Sequence, residues 1–299
     1  METALSIGNF DGLHLGHIKL LKRLIEASRE RGLRSLVISY DAAPACILNR
    51  RARPLLLLPP EIKKKRLLEL GINQVELLHF DEQLSLMSAD EFLHELLIPR
   101  YQPQLIVVGY DSHFGFQRRG DLSFLRSHTG RYGYLLEYVE PLLYQGKPLS
   151  SSLIREMLLA GDVGNANELL DQPFALFGKI VPGAGIGTAL GFPTANLELA
   201  DPHQLVPKNG IYFSQADLGN QCYFGLTNIG ISPTVKHKGE TEIETHLLDF
   251  SGQIYGRKMD LSLLGFLREE KTFENREELK QAIAADVARA RKLIREGAQ

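Results

Sequence analysis

Two histidines, His14 and His17, lie three residues apart where a glycine-rich stretch meets a predicted helix. The stretch contains Gly8, Gly12 and Gly16. A loop at the start of a helix presents free backbone N–H groups and the positive end of the helix dipole, and both favour phosphate. Two imidazoles there can also donate hydrogen bonds to phosphate oxygens. The spacing therefore indicates a phosphate site, although an isolated pair of this kind is also compatible with helix capping or a chance likeness to a metal site.

A second glycine-rich stretch lies in the other half of the chain. Its glycines, Gly183, Gly185 and Gly187, would let backbone amides approach a polyphosphate closely. No Gly-Lys-Ser/Thr sequence follows, so the stretch is not a Walker loop. Glycines alone indicate a phosphate site only weakly.

A glutamate stands out in the apolar stretch EIETHLLDF, residues 242–250. Strand alternation places Glu244, His246 and Leu248 on one face, opposite Ile243, Thr245 and Leu247. A strand needs no glutamate at this place for structural reasons. Glu244 is therefore a candidate functional residue.

The first half of the chain alternates predicted strands with predicted helices. ALSI, LRSLVISY, VELLHF and residues 105–111 read as strands, and helical stretches precede or follow them. This order predicts an α/β unit with a parallel sheet and helices on both faces. Ligands of such sheets bind beyond the carboxyl ends of the strands, so the loops after Ile7, Tyr40 and Val108 are expected to carry the chemistry.

After about residue 170 the texture changes to short runs of β character rich in Gly and Pro. Closely spaced strands predict a small antiparallel barrel or sandwich. A terminal amphipathic helix follows a possible cap at Asn275, with Leu279, Ile283, Val287 and Ile294 at helical spacing, and should dock on the strands. Residues 153–172 are helical in pattern and are expected to bridge the two halves.

Composition excludes several classes of protein. The 299 residues are 44% hydrophobic with a formal net charge of -2, which argues against disorder, a membrane bundle, or a charge-driven grip on nucleic acid or lipid. Cys46 and Cys222 fit neither a disulfide framework nor a thiolate metal site. No apolar run long enough for a signal peptide precedes Asp11, so we expect a cytoplasmic protein.

The segment GNFDGLHLGH, residues 8–17, resembles the signature of the flavin adenylyltransferase module of bacterial bifunctional riboflavin kinase/FAD synthetases. GYDSHFG at 109–115 and LSSSLIR at 149–155 are similar to two further elements of that module. The resemblance implies that His14 and His17 bind the ATP phosphates and that Ser151, Ser152 and Arg155 bind the triphosphate and the leaving pyrophosphate. It also implies a nucleotide and flavin pocket shaped by Gly8, Asn9, Phe10, Asp11, Gly16 and Asp111. Turn capping is the structural alternative for Asp11, and a solvated helix face is the alternative for Arg155.

The segment GFPTAN, residues 191–196, resembles the riboflavin kinase signature. Thr194 and Asn196 would then hold Mg-ATP through oxygen donors, which suit magnesium, and Gly183, Gly185 and Gly187 would cradle the nucleotide. In this family the catalytic glutamate falls at Glu244, and Arg268 lies near the flavin. Residues 228–230 and 233–234 match a further kinase element.

The resemblance implies a Rossmann-like adenylyltransferase domain at 1–170 and a β-barrel kinase domain at 172–299. The expected reactions are riboflavin to FMN and FMN to FAD, each with ATP and Mg²⁺, the second releasing pyrophosphate. Expected partners are riboflavin, FMN and ATP, with no nucleic acid, membrane or obligatory protein partner. Ala43 and Thr188 depart from the usual histidine and arginine. An enzyme with one impaired activity, a non-catalytic flavin or nucleotide sensor, and a transferase for CTP or another phosphorylated acceptor are therefore the alternatives.

Overall fold

The computed structural model describes residues 2–41, 55–183, 185–231 and 241–297. The chain divides into two compact units, Met1–Leu153 and Ile154–Gln299. Ala43, Cys46 and the predicted element at 233–234 lie outside the described residues. Within the described ranges, no helix is both long and apolar enough to cross a lipid bilayer.

The first unit is built from βα units. In chain order its elements are β1 (Thr3–Ile7), α1 (Leu15–Glu30), β2 (Arg34–Tyr40), α2 (Pro60–Glu69), β3 (Gln74–Leu78), α3 (Glu82–Leu86), α4 (Ala89–Glu91) continuing through a π-helical segment (Phe92–Leu97) into α5 (Ile98–Tyr101), β4 (Pro103–Gly109), a 3-10 turn (Phe116–Arg118), α6 (Leu122–Tyr132), β5 (Leu135–Val139), and the short strands β6 (Leu143–Tyr144) and β7 (Lys147–Pro148). The helix α7 (Ser151–Ala160) begins here and continues into the second unit.

The five main strands of this unit form a parallel sheet in the order β3-β2-β1-β4-β5. The strand β1 is central and wholly buried, as expected where helices cover both faces of a parallel sheet. The predicted α/β class and the first four strands are confirmed. Because parallel strands end at a common edge, the loops after β1, β2 and β4 follow one another along that edge.

The second unit is a closed barrel with a terminal helix. Its elements are α8 (Val163–Leu169), β8 (Ala175–Val181), α9 (Ile186–Leu190), β9 (Ala195–Leu199), β10 (Gly210–Asp217), β11 (Cys222–Ile231), β12 (Thr241–Leu247), β13 (Lys258–Arg268) and α10 (Arg276–Gly297). The strands close in the order β10-β11-β12-β9-β8-β13, and all six pairings are antiparallel. Of the two predicted architectures, the structure is the barrel.

The terminal helix α10 docks on the outside of the barrel. Its start is capped as predicted, because the Asn275 side-chain oxygen accepts the Glu278 N–H at 2.9 Å. One helix face, with Ala290 at its centre, packs on a cluster that includes Phe213, Leu226 and Leu248. Burial of this apolar face holds the helix on the strands.

Three segments differ from the sequence-based expectation. The glycine-rich stretch contains a short helix, α9, and the segment after Gly191 forms β9 instead of a loop. The stretch expected to bridge the units is two helices, α7 and α8, broken at Gly161, which has a φ of 85°. A left-handed backbone of this kind ends a helix most easily at glycine.

Candidate active sites

The loop between β1 and α1 has an unusual backbone. Phe10, Gly12 and Leu13 all have positive φ, at 49°, 82° and 47°. For the two residues other than glycine this conformation costs on the order of 1–3 kcal/mol each, and such strain concentrates at functional sites. The loop ends at His14, the N-cap of α1, whose ring nitrogen Nδ1 accepts the His17 N–H at 3.3 Å. The predicted loop–helix junction is therefore present at the carboxyl end of the central strand.

His14 and His17 form a stacked pair of neutral rings. Their centroids lie 3.6 Å apart with the planes inclined by 17°. Burial lowers the pKa of His14 to about 4, and burial, aided by the charges of His14 and Lys63, lowers the pKa of His17 well below its usual value. Within the described chain, His14 Nε2 and His17 Nδ1 are buried without a hydrogen-bond partner. Buried polar atoms are normally paired, so these two nitrogens are suited to a ligand.

Asp11 and Ser151 support this loop. The Asp11 carboxylate is buried and accepts the backbone N–H groups of Leu57 and Leu58, each at 3.0 Å from Oδ1. Ser151, the first residue of α7, donates its hydroxyl hydrogen to the Asp11 carbonyl oxygen at 2.9 Å. The structure thus brings the predicted serine element beside the glycine-rich loop, although they are about 140 residues apart. Asp11 acts through backbone contacts here, in line with its structural alternative.

The other predicted residues of the first site occupy three places. Gly8 and Gly16 pack closely, since an added Cβ would lie 3.2 Å from the Phe10 ring and 3.1 Å from His14 Nδ1, respectively. Ser152 is exposed in the first turn of α7, and Arg155 is half-buried one turn later. Asp111 follows β4, the neighbour of β1, and desolvation raises the pKa of its carboxyl group. The strand order places Asp111 at the edge that carries the histidines.

Lys63 is a member of this site that the sequence did not reveal. Its ammonium group, Nζ, is buried and donates to the carbonyl oxygens of Asn9 at 2.9 Å and Tyr40 at 3.1 Å. Burial lowers the pKa of Lys63 to about 8, while the charges of Asp11 and Asp41 act in the opposite direction. Lys63 thus joins the loop after β1 to the end of β2.

The second candidate site is a row of polar side chains on the outer face of the barrel. In the strand register, Asn228 pairs with Glu244, and Glu244 pairs with Asn196. Thr194 donates its hydroxyl hydrogen to Glu244 Oε2 at 3.4 Å. Burial raises the pKa of Glu244 and the charge of Glu242 raises it further, while the Thr194 hydrogen bond acts in the opposite direction. The predicted strand alternation is confirmed, since Ile243, Thr245 and Leu247 are buried inside the barrel.

A cavity of about 410 Å³ lies between this face, the short helix α9 and the terminal helix α10. Four predicted site residues line it: Gly187, Thr194, Glu244 and Arg268. Apolar side chains of the lining, among them Leu190, Phe192, Ile211, Leu226, Phe273 and Ile283, give the cavity room for a planar organic ligand. Gly183, Gly185 and Asn196 are described but lie outside this lining.

Close packing explains two of the glycines. A Cβ on Gly183 would lie 1.9 Å from Nδ2 of Asn196, so only glycine admits the Asn196 amide at this place. A Cβ on Gly187 would lie 2.4 Å from the Phe192 carbonyl oxygen. His246 adds a further tie by donating from Nδ1 to the Pro193 carbonyl oxygen at 2.9 Å. The Thr194–Asn196 segment is therefore fixed from both sides.

Arg268 is paired with Asp286 of the terminal helix, a residue that sequence reasoning missed. Arg268 Nε lies 3.1 Å from both carboxylate oxygens of Asp286, and Nη2 lies 2.7 Å from Oδ2. Both residues line the cavity. The sequence signal was weak, because an aspartate between Ile283 and Val287 on the apolar face of a helix gives no indication of its partner.

Comparisons with known proteins agree with these two sites. A family model described as FAD synthetase matches residues 1–153, and one described as riboflavin kinase matches residues 170–294. A Pseudomonas fluorescens protein named bifunctional riboflavin kinase/FMN adenylyltransferase is 37% identical over 288 residues, covering 96% of this chain and 92% of that protein. The Escherichia coli (strain K12) protein of the same name is 34% identical over 291 residues, covering 97% and 92%. The fold and sites define a flavin-cofactor enzyme that handles ATP. The chain belongs to the bifunctional riboflavin kinase/FMN adenylyltransferase family.

A solved structure from Streptococcus pneumoniae, described as a macrolide-efflux protein, matches the fold with a TM-score of 0.87. It is 27% identical, and the match covers 97% of this chain and 94% of that one. Macrolide efflux is the description given to that protein. For this chain the match supports the fold over nearly its whole length.

Proposed function

We propose that the first unit adenylylates FMN and that the second unit phosphorylates riboflavin, with the residues described above in the roles given below. The family makes FMN and FAD with ATP as the donor, and both halves of the chain match their models. The observation that carries the assignment of the kinase is Glu244, a half-buried carboxylate with a raised pKa beside Thr194 in a cavity of about 410 Å³.

In the kinase step, the 5′-hydroxyl oxygen of riboflavin forms a bond to the γ-phosphorus of ATP. The bond from that phosphorus to the β,γ-bridging oxygen breaks, ADP leaves, and Glu244 accepts the hydroxyl proton. A carboxylate of raised pKa is a better base than an ordinary one, provided that it stays ionised at the working pH. Riboflavin would lie in the apolar part of the cavity with its ribityl chain toward Glu244.

Magnesium fits the oxygen donors of the Thr194–Asn196 segment. Mg²⁺ binds through few protein ligands together with nucleotide phosphates, and the Thr194 hydroxyl and Asn196 amide oxygens are hard donors. When bound, the ion would neutralise charge on the β- and γ-phosphates. Packing of Asn196 against Gly183 would keep its amide in place for this contact.

In the adenylyl transfer step, a phosphate oxygen of FMN forms a bond to the α-phosphorus of ATP. The bond from that phosphorus to the α,β-bridging oxygen breaks and pyrophosphate leaves. The FMN phosphate is already anionic near neutral pH, so no general base is needed and the protein supplies positioning and charge stabilisation. The free nitrogens of His14 and His17 and the start of α1 would donate to the phosphates, and Ser151, Ser152 and Arg155 would bind the triphosphate.

Purified protein incubated with riboflavin, ATP and Mg²⁺ should form FMN first and FAD later, as resolved by chromatography over time. A parallel incubation supplied with FMN should form FAD and pyrophosphate. Absence of both products would sink the proposal. FMN without FAD would confine activity to the second unit, and FAD formed only from supplied FMN would confine it to the first.

A further inference from the structure

The terminal helix α10 places a carboxylate against the barrel where packing alone would call for an apolar side chain. Asp286 is 8% exposed and precedes Val287, which packs on the helix–barrel cluster together with Ala290. A buried carboxylate costs free energy unless it is paired and hydrogen-bonded. Its partner is Arg268, through three N–H to oxygen contacts of 2.7 to 3.1 Å.

Docking of the helix does not depend on this pair alone. Arg291 Nη2 binds Asp249 Oδ1 at 2.7 Å, and Arg289 donates to the Leu267 carbonyl oxygen at 2.9 Å. The apolar cluster around Ala290 adds to these contacts. Replacing a buried ion pair with apolar residues is often neutral or stabilising, so stability gives little reason for Asp286.

The pair fixes the plane of the Arg268 guanidinium. Nε and Nη2 face the carboxylate, and Nη1 donates to the Glu269 carbonyl oxygen at 3.0 Å. These contacts engage N–H groups of all three nitrogens, and a guanidinium has five N–H donors in a rigid fork. The remaining donors belong to a group that lines the same cavity as Glu244 and Thr194.

We propose that Asp286 is a positioning residue of the kinase site, which holds the Arg268 guanidinium in the orientation that binds the flavin substrate. The terminal helix is then part of the substrate site as well as a cover for the barrel. This inference rests on the proposed function of the second unit.

The test compares Asp286→Asn with Asp249→Asn in the full-length chain. Asp249→Asn is the matched control, because it weakens an exposed ion pair of the same helix. Losing one charge-assisted contact should raise the KM for riboflavin about tenfold in Asp286→Asn. The kcat, the KM for ATP and FAD formation from supplied FMN should change by less than about twofold, the scatter expected of an uninvolved step. Asp249→Asn should leave every value unchanged, and Asp286→Glu should restore part of the riboflavin affinity.

A double-mutant cycle separates positioning from packing. If Asp286 acts through Arg268, Asp286→Asn should add little to the KM for riboflavin once Arg268→Gln is present. An equal rise in KM in both backgrounds would overturn the inference. So would an unchanged KM in Asp286→Asn, or a loss of kcat and melting temperature without a rise in KM. Failure of the unmodified protein to phosphorylate riboflavin would instead sink the proposed function.

Discussion

Burial acts in opposite directions on the titratable groups of the two sites. In the first unit it lowers the pKa of His14 to about 4 and that of His17 well below its usual value, and in the second it raises the pKa of Glu244. Near neutral pH the histidines are uncharged hydrogen-bond donors, while the glutamate is a strengthened base. The difference matches the nucleophiles, because an FMN phosphate needs no base and a riboflavin hydroxyl does.

The two sites also differ in how their backbone is held. In the first unit a buried ammonium group, Lys63 Nζ, binds the carbonyl oxygens of Asn9 and Tyr40 from beneath the loop. In the second, the Asn196 side chain rests directly on the backbone of Gly183. A charge therefore positions the phosphate loop, whereas close packing positions the predicted magnesium segment.

The largest expected effect is that of Glu244→Gln on riboflavin phosphorylation. Loss of a general base typically costs 10²- to 10⁴-fold in rate, and the amide retains the shape of the side chain. Glu242→Gln is the matched control, since Glu242 lines the same cavity two residues earlier. Steady-state FMN formation should fall only in the first variant. Unchanged kcat in Glu244→Gln would remove the base from the mechanism.

His17→Ala should lower adenylyl transfer by about 10²- to 10³-fold, the usual cost of losing a transition-state donor. FMN formation from riboflavin should not change, because His17 belongs to the first unit. His94→Ala removes an exposed histidine from the same unit and serves as the control. Pyrophosphate release with FMN and ATP measures the step. An equal loss in both variants would show that His17 has no special role.

Lys63→Met should weaken the first site by a smaller amount. Two buried carbonyl oxygens lose their donor, which costs about 1–3 kcal/mol in stability of the unit, and we expect adenylyl transfer to fall about tenfold as the loop loosens. Lys65→Met is the control, since Lys65 is exposed on the same helix. Thermal melting and pyrophosphate release measure the two effects. A stable Lys63→Met enzyme with full activity would contradict the role given to Lys63.

The smallest effect concerns pH. Glu244 must be ionised to accept a proton, so its raised pKa should place the acid limb of the kcat/KM profile for riboflavin above the value of an ordinary glutamate. Burial is the main cause of the raised pKa, and the Glu242 charge adds to it. Glu242→Gln should therefore move the limb to lower pH. A limb that stays in place, or moves upward, would show that the limb reports another group.

Regular elements could be predicted from the sequence because their causes are local. Apolar periodicity predicted β1, β2 and α10, and alternation placed Glu244 and Thr245 on opposite faces of β12. Lys63 and Asp286 could not be predicted, because their partners come from distant parts of the chain and only packing brings them together. The single hint for Lys63 was its helical phase with the buried Leu67.

The glycines show a second limit of the sequence. Gly183 was predicted to give phosphate access to the backbone, and the structure adds that the pairing of β8 with β9 brings the Asn196 amide against it. Asp11 was predicted in the nucleotide pocket, and its carboxylate binds the Leu57 and Leu58 N–H groups. Residue type and spacing located both sites, whereas the contacts that shape them depend on the tertiary fold.

The central claim is that each unit carries a complete and separate site, and mixing two inactivated chains tests it most directly. Glu244→Gln should form FAD from FMN but not from riboflavin, and His17→Ala should form FMN but little FAD. An equimolar mixture given riboflavin, ATP and Mg²⁺ should form FAD, because FMN released by one chain is adenylylated by the other. A mixture that forms no more FAD than either variant alone would contradict the account.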